Sequence, residues 1–245
     1  MRRVKLLLSY DGTAYRGFQV QPDGPTVQSA LEKALSRLLR ETVRVRAAGR
    51  TDAGVHAREQ VVDFSDSGKL PTATIARGGN ALLPPDIRIL SADEVPPDFD
   101  ARRHAREKEY RYFLHLSPVA SPFFLRYAWH IEKPLDLDAL REGLSHLAGE
   151  HDFSSFRGQG CSAKTTVRTI FAADLGEEAP FLRFVRISGS GFLRHMVRNL
   201  VGTLVDVGKG KIPAARVREL LSLRDRAQAG PNAPARGLFL WKVTY

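Results

Sequence analysis

Apolar positions recur along this chain at two spacings, and the switches between them mark out the elements. Residues 4–8 form an unbroken apolar run that ends at the turn-forming pair Asp11-Gly12, the signature of a buried strand. After Pro25-Thr26 the spacing changes. Val27, Ala30, Leu31, Ala34, Leu35 and Leu38 return at steps of three and four, which predicts a helix with one buried face and Thr26 as its cap. Two strand-like runs follow, over 43–48 and 60–64, then a helical stretch over 72–83 and a strand over 87–92. The order is strand, helix, strand, strand, helix, strand.

The second half repeats this order. Strands are predicted over 109–115, 166–173, 181–188 and 238–244. Leu137, Leu140, Leu144 and Leu147 make one helical stripe that ends at Gly149. Phe192, Met196, Val197, Leu200, Val201 and Leu204 make another that ends at Gly208, and a short helix is predicted over 214–223. Two successive split βαβ units predict an α+β protein of two ferredoxin-like or RRM-like halves. Each half would be an antiparallel sheet with helices on one face, and the two would meet along a cleft. Pro96-Pro97, Asp98 and Asp100 interrupt every periodic pattern, so the expected division is 1–104 and 105–245.

Charge adds a partner to this picture. The 37 Lys and Arg exceed the 27 Asp and Glu to leave a formal charge of +10, with Arg about threefold more frequent than Lys. A guanidinium grips phosphate oxygens in pairs and stacks on bases, which an ammonium does not do, so a polyanion such as RNA is the first partner suggested, while Arg-rich coding habits or a hot-living source would give the same excess with no ligand. A single cysteine, Cys161, excludes a disulfide framework and a cysteine-cluster metal site and fits a reducing compartment. The opening apolar run is too short for a signal peptide and no later run reaches membrane-spanning length, so the chain reads as cytosolic.

Four stretches carry candidate chemistry. Gly49-Arg50-Thr51-Asp52-Ala53-Gly54-Val55-His56 joins two strands through a loop with two glycines, an arginine and an acid. From residues alone it reads either as a turn in which Asp52 bonds its own backbone or as a reactive loop. A metal site on Asp52 and His56 lacks further ligands at zinc or di-metal spacing. The stretch 11–19 mixes turn formers, Tyr15, Phe18 and Arg16, and reads as a loop whose aromatics tuck into the core. The stretch 102–112 is the densest basic run. Its Arg102, Arg103, Arg106 and Lys108 are candidates for RNA backbone contact, with Tyr110 interleaved. Finally, the stripe over 191–199 places Arg194 and Arg198 four apart on one predicted helix face. No glycine-rich segment has P-loop spacing, so no nucleotide cofactor is expected.

Together these stretches resemble the bacterial TruA family of tRNA pseudouridine synthases along essentially the whole chain. The likeness includes the 49–56 loop, Tyr10-Asp11-Gly12, Asn80-Ala81-Leu82-Leu83-Pro84, Asp98-Phe99-Asp100-Ala101-Arg102, Asp152-Phe153-Ser154-Ser155-Phe156 and His195-Met196-Val197-Arg198-Asn199. The resemblance implies the pseudouridine synthase fold, a homodimer, no cofactor or metal, and tRNA uridines at about positions 38 to 40 of the anticodon arm as substrate. It puts the catalytic acid on Asp52 and the preceding arginine on Arg50, and it identifies Tyr110 and Arg198 as substrate-binding residues. Two other readings of the residues remain open here. One is a noncatalytic RNA-binding protein of two RRM-like halves, although no RNP1-like run is present. The other is a metal-dependent phosphohydrolase, for which ligands are lacking.

Overall fold

In chain order the first part forms β1 (Arg2–Tyr10), α1 (Val27–Leu39), β2 (Arg46–Ala47), β3 (His56–Asp66), α2 (Thr72–Leu82) and β4 (Ile87–Val95). These come from a computed structural model that describes residues 1–245. The remainder is β5 (Glu107–Leu116), β6 (Trp129–Ile131), α3 (Leu137–Ser145), β7 (Gly149–Asp152), β8 (Val167–Ala179), β9 (Leu182–Gly189), α4 (Met196–Gly208), α5 (Arg216–Leu223) and β10 (Leu238–Thr244). The chain divides into one unit of Met1–Arg106 with Phe239–Tyr245 and a second of Glu107–Leu238. No helix is long and apolar enough to cross a membrane.

In the first unit β1 is the central strand, antiparallel to β3 on one edge and to β4 on the other. Its alternate residues Val4, Leu6, Leu8 and Tyr10 are buried, as the period of two requires for a sheet with one covered face. Helix α1 begins as the sequence pattern predicts. Thr26 caps it and Ser29 reciprocates, so two otherwise orphaned backbone N–H groups are satisfied. Helix α2 packs closely, because a Cβ on Gly79 would stand 2.5 Å from the Ile89 side chain.

The other edge of β3 carries β2 near its end and β10 at its start. The β10 pairing is parallel, with Phe239 opposite His56 and Leu240 opposite Ala57. The Phe239 ring stacks on His56 at 4.5 Å, and the Arg58 guanidinium lies 4.4 Å over Trp241. The sequence pattern counted this last strand with the second half. Its partners put it in the first unit, because strand pairing follows edge complementarity and not order along the chain.

In the second unit the sheet runs β5-β9-β8-β7, antiparallel throughout, with β6 added parallel to the end of β5. Strands β6 and β7 have only three and four residues and left no periodic trace. Tyr112, Leu114, Val185 and Ile187 from the sheet and Leu140, Leu200 and Leu204 from the helices form a core with no more than 1% exposure. One expectation fails. Arg194 and Arg198 do not share a helix face, because His195 adopts a left-handed conformation (φ 60°) and α4 starts only at Met196.

The turn that presents Arg102 and Arg103 is strapped to the first unit's sheet by acids. The fully buried Asp63 accepts from the Ala101 N–H at 2.8 Å and pairs with Arg3 and Arg46. Asp100 pairs with Arg46 at 3.0 Å and accepts the N–H groups of Arg102 and Arg103. Burial opposes ionisation of Asp100, but those two N–H groups and the Arg46 and Arg103 charges outweigh it and hold the carboxyl below its ordinary range. A depressed acid stabilises the fold above its unfolded titration point and loses that contribution as pH falls through its folded one. Asp100→Asn should therefore reduce stability at neutral pH and flatten the acid limb of a stability profile below about pH 4. Urea unfolding of both proteins between pH 3 and pH 7 measures this, and parallel profiles would contradict it.

Candidate active site

The Asp52 loop is held by the segment that follows β1. Phe18 N–H donates to the Thr51 carbonyl at 3.0 Å, Gly54 N–H to that of Tyr15 at 3.3 Å, and Val55 N–H to that of Asp52 at 3.1 Å. Asp52 thus sits between backbone anchors on both sides. Such contact of main chain against main chain excludes side chains. A Cβ on Gly12 would lie 2.0 Å from the Val55 carbonyl oxygen, and one on Gly17, where φ is +91°, would lie 2.7 Å from that of Thr51. The aromatics of the first segment do tuck inward. Tyr15 and Phe18 are buried, and the Tyr15 hydroxyl donates to Asp86 at 2.6 Å.

Within the loop, exposure is graded. Thr51, Val55 and His56 are buried, Asp52 is half-buried, and Arg50 and Ala53 are exposed. The His56 Nδ1 lies 3.1 Å from the Gly12 N–H and 3.0 Å from the Asp11 carboxylate. Because one nitrogen cannot accept and donate at once, these two contacts belong to different forms of the ring, with Nδ1 bare toward Gly12 or carrying a proton toward Asp11.

Beneath the start of the loop is a buried polar chain. The Gln60 Nε2 donates to the Gly49 carbonyl at 2.7 Å and to the Tyr10 hydroxyl at 3.3 Å, and that hydroxyl lies 2.9 Å from Thr51 Oγ1. Burial pushes the Tyr10 phenol up to about 12, with the bonds to Thr51 and Gln60 opposing, so it stays neutral at physiological pH. Gln60 Oε1 is buried with no hydrogen-bond partner, an arrangement that costs about 1–3 kcal/mol.

The second unit carries the other candidates. Tyr110 is buried on β5 and meets Phe192 edge-on at 5.0 Å and 81°, while Lys108 stands two residues before it on the same strand. Arg198 lies in the first turn of α4. Its Nε donates to the Ala233 carbonyl at 2.7 Å and its own carbonyl accepts the Ala233 N–H at 3.2 Å, which fixes the plane of the guanidinium. The segment around Ala233 is itself bonded to α4. Arg226 donates to the carbonyls of Ala229 and Gly230 and to Asn199 Oδ1, and Gly230 N–H donates to Thr203 Oγ1. Tyr112 donates to the Pro234 carbonyl at 2.7 Å, and burial raises its phenol against the opposing charges of Arg198 and Arg236.

Arg102, Arg103 and Arg106 are exposed in the first unit, on and just after the strapped turn. A hollow of about 470 Å³ in the second unit, lined by Gly158, His195, Asn199, Arg226 and Asn232 among others, contains none of the predicted residues. No group of three His, Cys, Asp or Glu side chains is arranged to hold a metal ion. Gln60 was not singled out from sequence. Its only signal was a glutamine at the head of the strand run over 60–64, beside Val61 and Val62.

An Asp-bearing loop braced by glycine contacts, on an α+β sheet scaffold, is a feature for which the chain's relatives supply the class. A family model described as tRNA pseudouridine synthase matches residues 7–102 and 144–245. The chain belongs to the tRNA pseudouridine synthase family, whose members are isomerases. It is similar to the tRNA pseudouridine synthase A of Geobacter sulfurreducens, 48% identical over 245 residues with both chains covered in full. The corresponding protein of Pelobacter propionicus is 49% identical over the same span, and that of Myxococcus xanthus is 49% identical over all of this chain and 92% of its own. Among solved structures, the archaeal box H/ACA sRNP Nop10-Cbf5 complex overlaps at 15% identity and a TM-score of 0.39, covering 82% of this chain and 44% of that one. That overlap is too loose to add to the assignment.

Helix α4 and the segment over 229–233 leave no room between them, since a Cβ on Gly202 would lie 1.7 Å from the Pro231 carbonyl oxygen. Gly202→Ala should displace that segment and lower stability by about 1–3 kcal/mol. A melting temperature equal to the parent's would show that the segment yields freely.

Proposed function

We propose that this protein isomerises uridines at about positions 38 to 40 of the tRNA anticodon stem-loop to pseudouridine, with Asp52 as the reacting carboxylate. The observation that carries this reading is the placement of Asp52. It is half-buried and pinned on both sides by backbone bonds, in a chain that matches the family over most of its length.

The reaction breaks the bond from C1′ to N1, rotates the uracil and joins C1′ to C5. C5 loses a proton and N1 gains one, so the change is redox-neutral and needs no cofactor. A base stacked in an RNA stem is out of reach, so the target nucleotide is flipped out at a cost of a few kcal/mol. Arg50, exposed beside the acid, is suited to fill the space the base leaves. The carboxylate then attacks either C1′ of the ribose or C6 of the base.

Both routes need an ionised acid in a partly dry site, and a guanidinium within about 4–6 Å favours the ionised form. We assign that role to Arg198, whose orientation is fixed through Ala233. Tyr110 stacks on the flipped uracil and keeps the detached ring from escaping. Arg102, Arg103, Arg106 and Lys108 hold the RNA backbone. The protein acts as a homodimer in the cytoplasm, where its tRNA substrate is found, and requires no metal.

Release of tritium from C5-labelled uridine in a tRNA transcript tests the reading directly. Asp52→Asn should bind the transcript with near-parental affinity and release no label, and release by that variant would remove the acid from the mechanism. A second experiment addresses the backbone contacts. If Arg102 and Arg103 each neutralise one phosphate, replacing both with Gln should lower the slope of log K against log salt by about 1 to 2. An unchanged slope would take these two residues off the RNA.

A further inference from the structure

We propose that Gln60 and Tyr10 are positioning residues that set the geometry of Asp52, an inference that rests on Asp52 being the reacting carboxylate. Neither touches the acid. They act through the two residues that flank Arg50, because Gln60 holds the Gly49 carbonyl and Tyr10 holds the Thr51 hydroxyl.

Three observations favour positioning over simple packing. Gln60 is fully buried in β3 opposite Leu8, on the covered face of the sheet, where apolar residues occupy the neighbouring positions Leu6, Leu8 and Val62. Its Oε1 goes without any partner, so the amide is not there to satisfy itself. Its Nε2 spends both available bonds on the loop and on Tyr10.

The Tyr10 oxygen accepts from Gln60 and shares a hydrogen bond with Thr51 Oγ1 in which either hydroxyl can donate. That bond holds the Thr51 side chain, while the Thr51 carbonyl is held by the Phe18 N–H. Asp52, the next residue, inherits its position from a neighbour held at two points. The remaining freedom of the loop is taken up by the glycines at 49 and 54, which would leave it slack without this grip.

Gln60→Met separates the two roles. Methionine fills the same volume and removes both the unpartnered oxygen and the hold on Gly49. The expected result is a melting temperature equal to or above the parent's, kcat lowered about tenfold or more, and KM within about twofold. Tyr10→Phe should lower kcat several-fold, and combining it with Thr51→Val should cost no more than the worse single change. Thr51→Ser, which keeps the hydroxyl, should retain most of the rate.

Parental kcat in Gln60→Met, or a loss of kcat that only tracks a loss of stability, overturns the proposal. Should Gln60→Met not fold, Tyr10→Phe decides, since it deletes a single oxygen, and parental kcat there has the same meaning. Asp52→Asn is measured alongside. If it is silent while the Gln60 and Tyr10 variants are unimpaired, only the positioning role falls. If it turns over at the parental rate, the assignment of the acid falls and carries the positioning role with it.

Discussion

The approach of residues 11–18 to the 49–56 loop, main chain against main chain, is the constraint on which the rest of the site depends. Glycines at 12 and 17 let two backbones come within hydrogen-bonding distance, and two backbone bonds, Phe18 to Thr51 and Gly54 to Tyr15, then tie the loop to that segment. A loop held this way is rigid at its ends. Under the proposed function that rigidity would matter, since the rate of a reaction at one carboxylate depends on where its oxygen pair sits relative to the atom it attacks.

The polar groups beneath the loop hold it from the other side. Tyr10, Thr51 and Gln60 are buried, and one acceptor among them goes unmet, which a strand built only for packing would avoid. Across the second unit the equivalent task falls to backbone. Arg198 is oriented by the Ala233 carbonyl, and Ala233 is held by a segment that Arg226 and Thr203 tie to α4.

Much of this was legible in the sequence, for reasons that differ by element. Helix α1 announced itself through its stripe and its capping pair, and β1 through its apolar run, because both bury one continuous face. Strands β6 and β7 were invisible, since three or four residues cannot display a period. The start of α4 was placed too early because Phe192 falls on the helical stripe, while a left-handed His195 has no hydrophobic signature. For the site, the composition of the 49–56 loop drew attention to Asp52, but Gln60 lay hidden. A single amide in a strand that also carries charged residues reads as one more polar position until its burial and partners are known.

Placing β10 beside the start of β3 has a consequence for biosynthesis. Phe239 stacks on His56, the residue that closes the Asp52 loop, yet it is translated after the whole of Glu107–Leu238. The first unit is therefore interrupted in sequence by the second, and its Asp52-bearing segment is synthesised well before that neighbour. A nascent chain would carry the 49–56 loop without this flank until the whole second unit had been made.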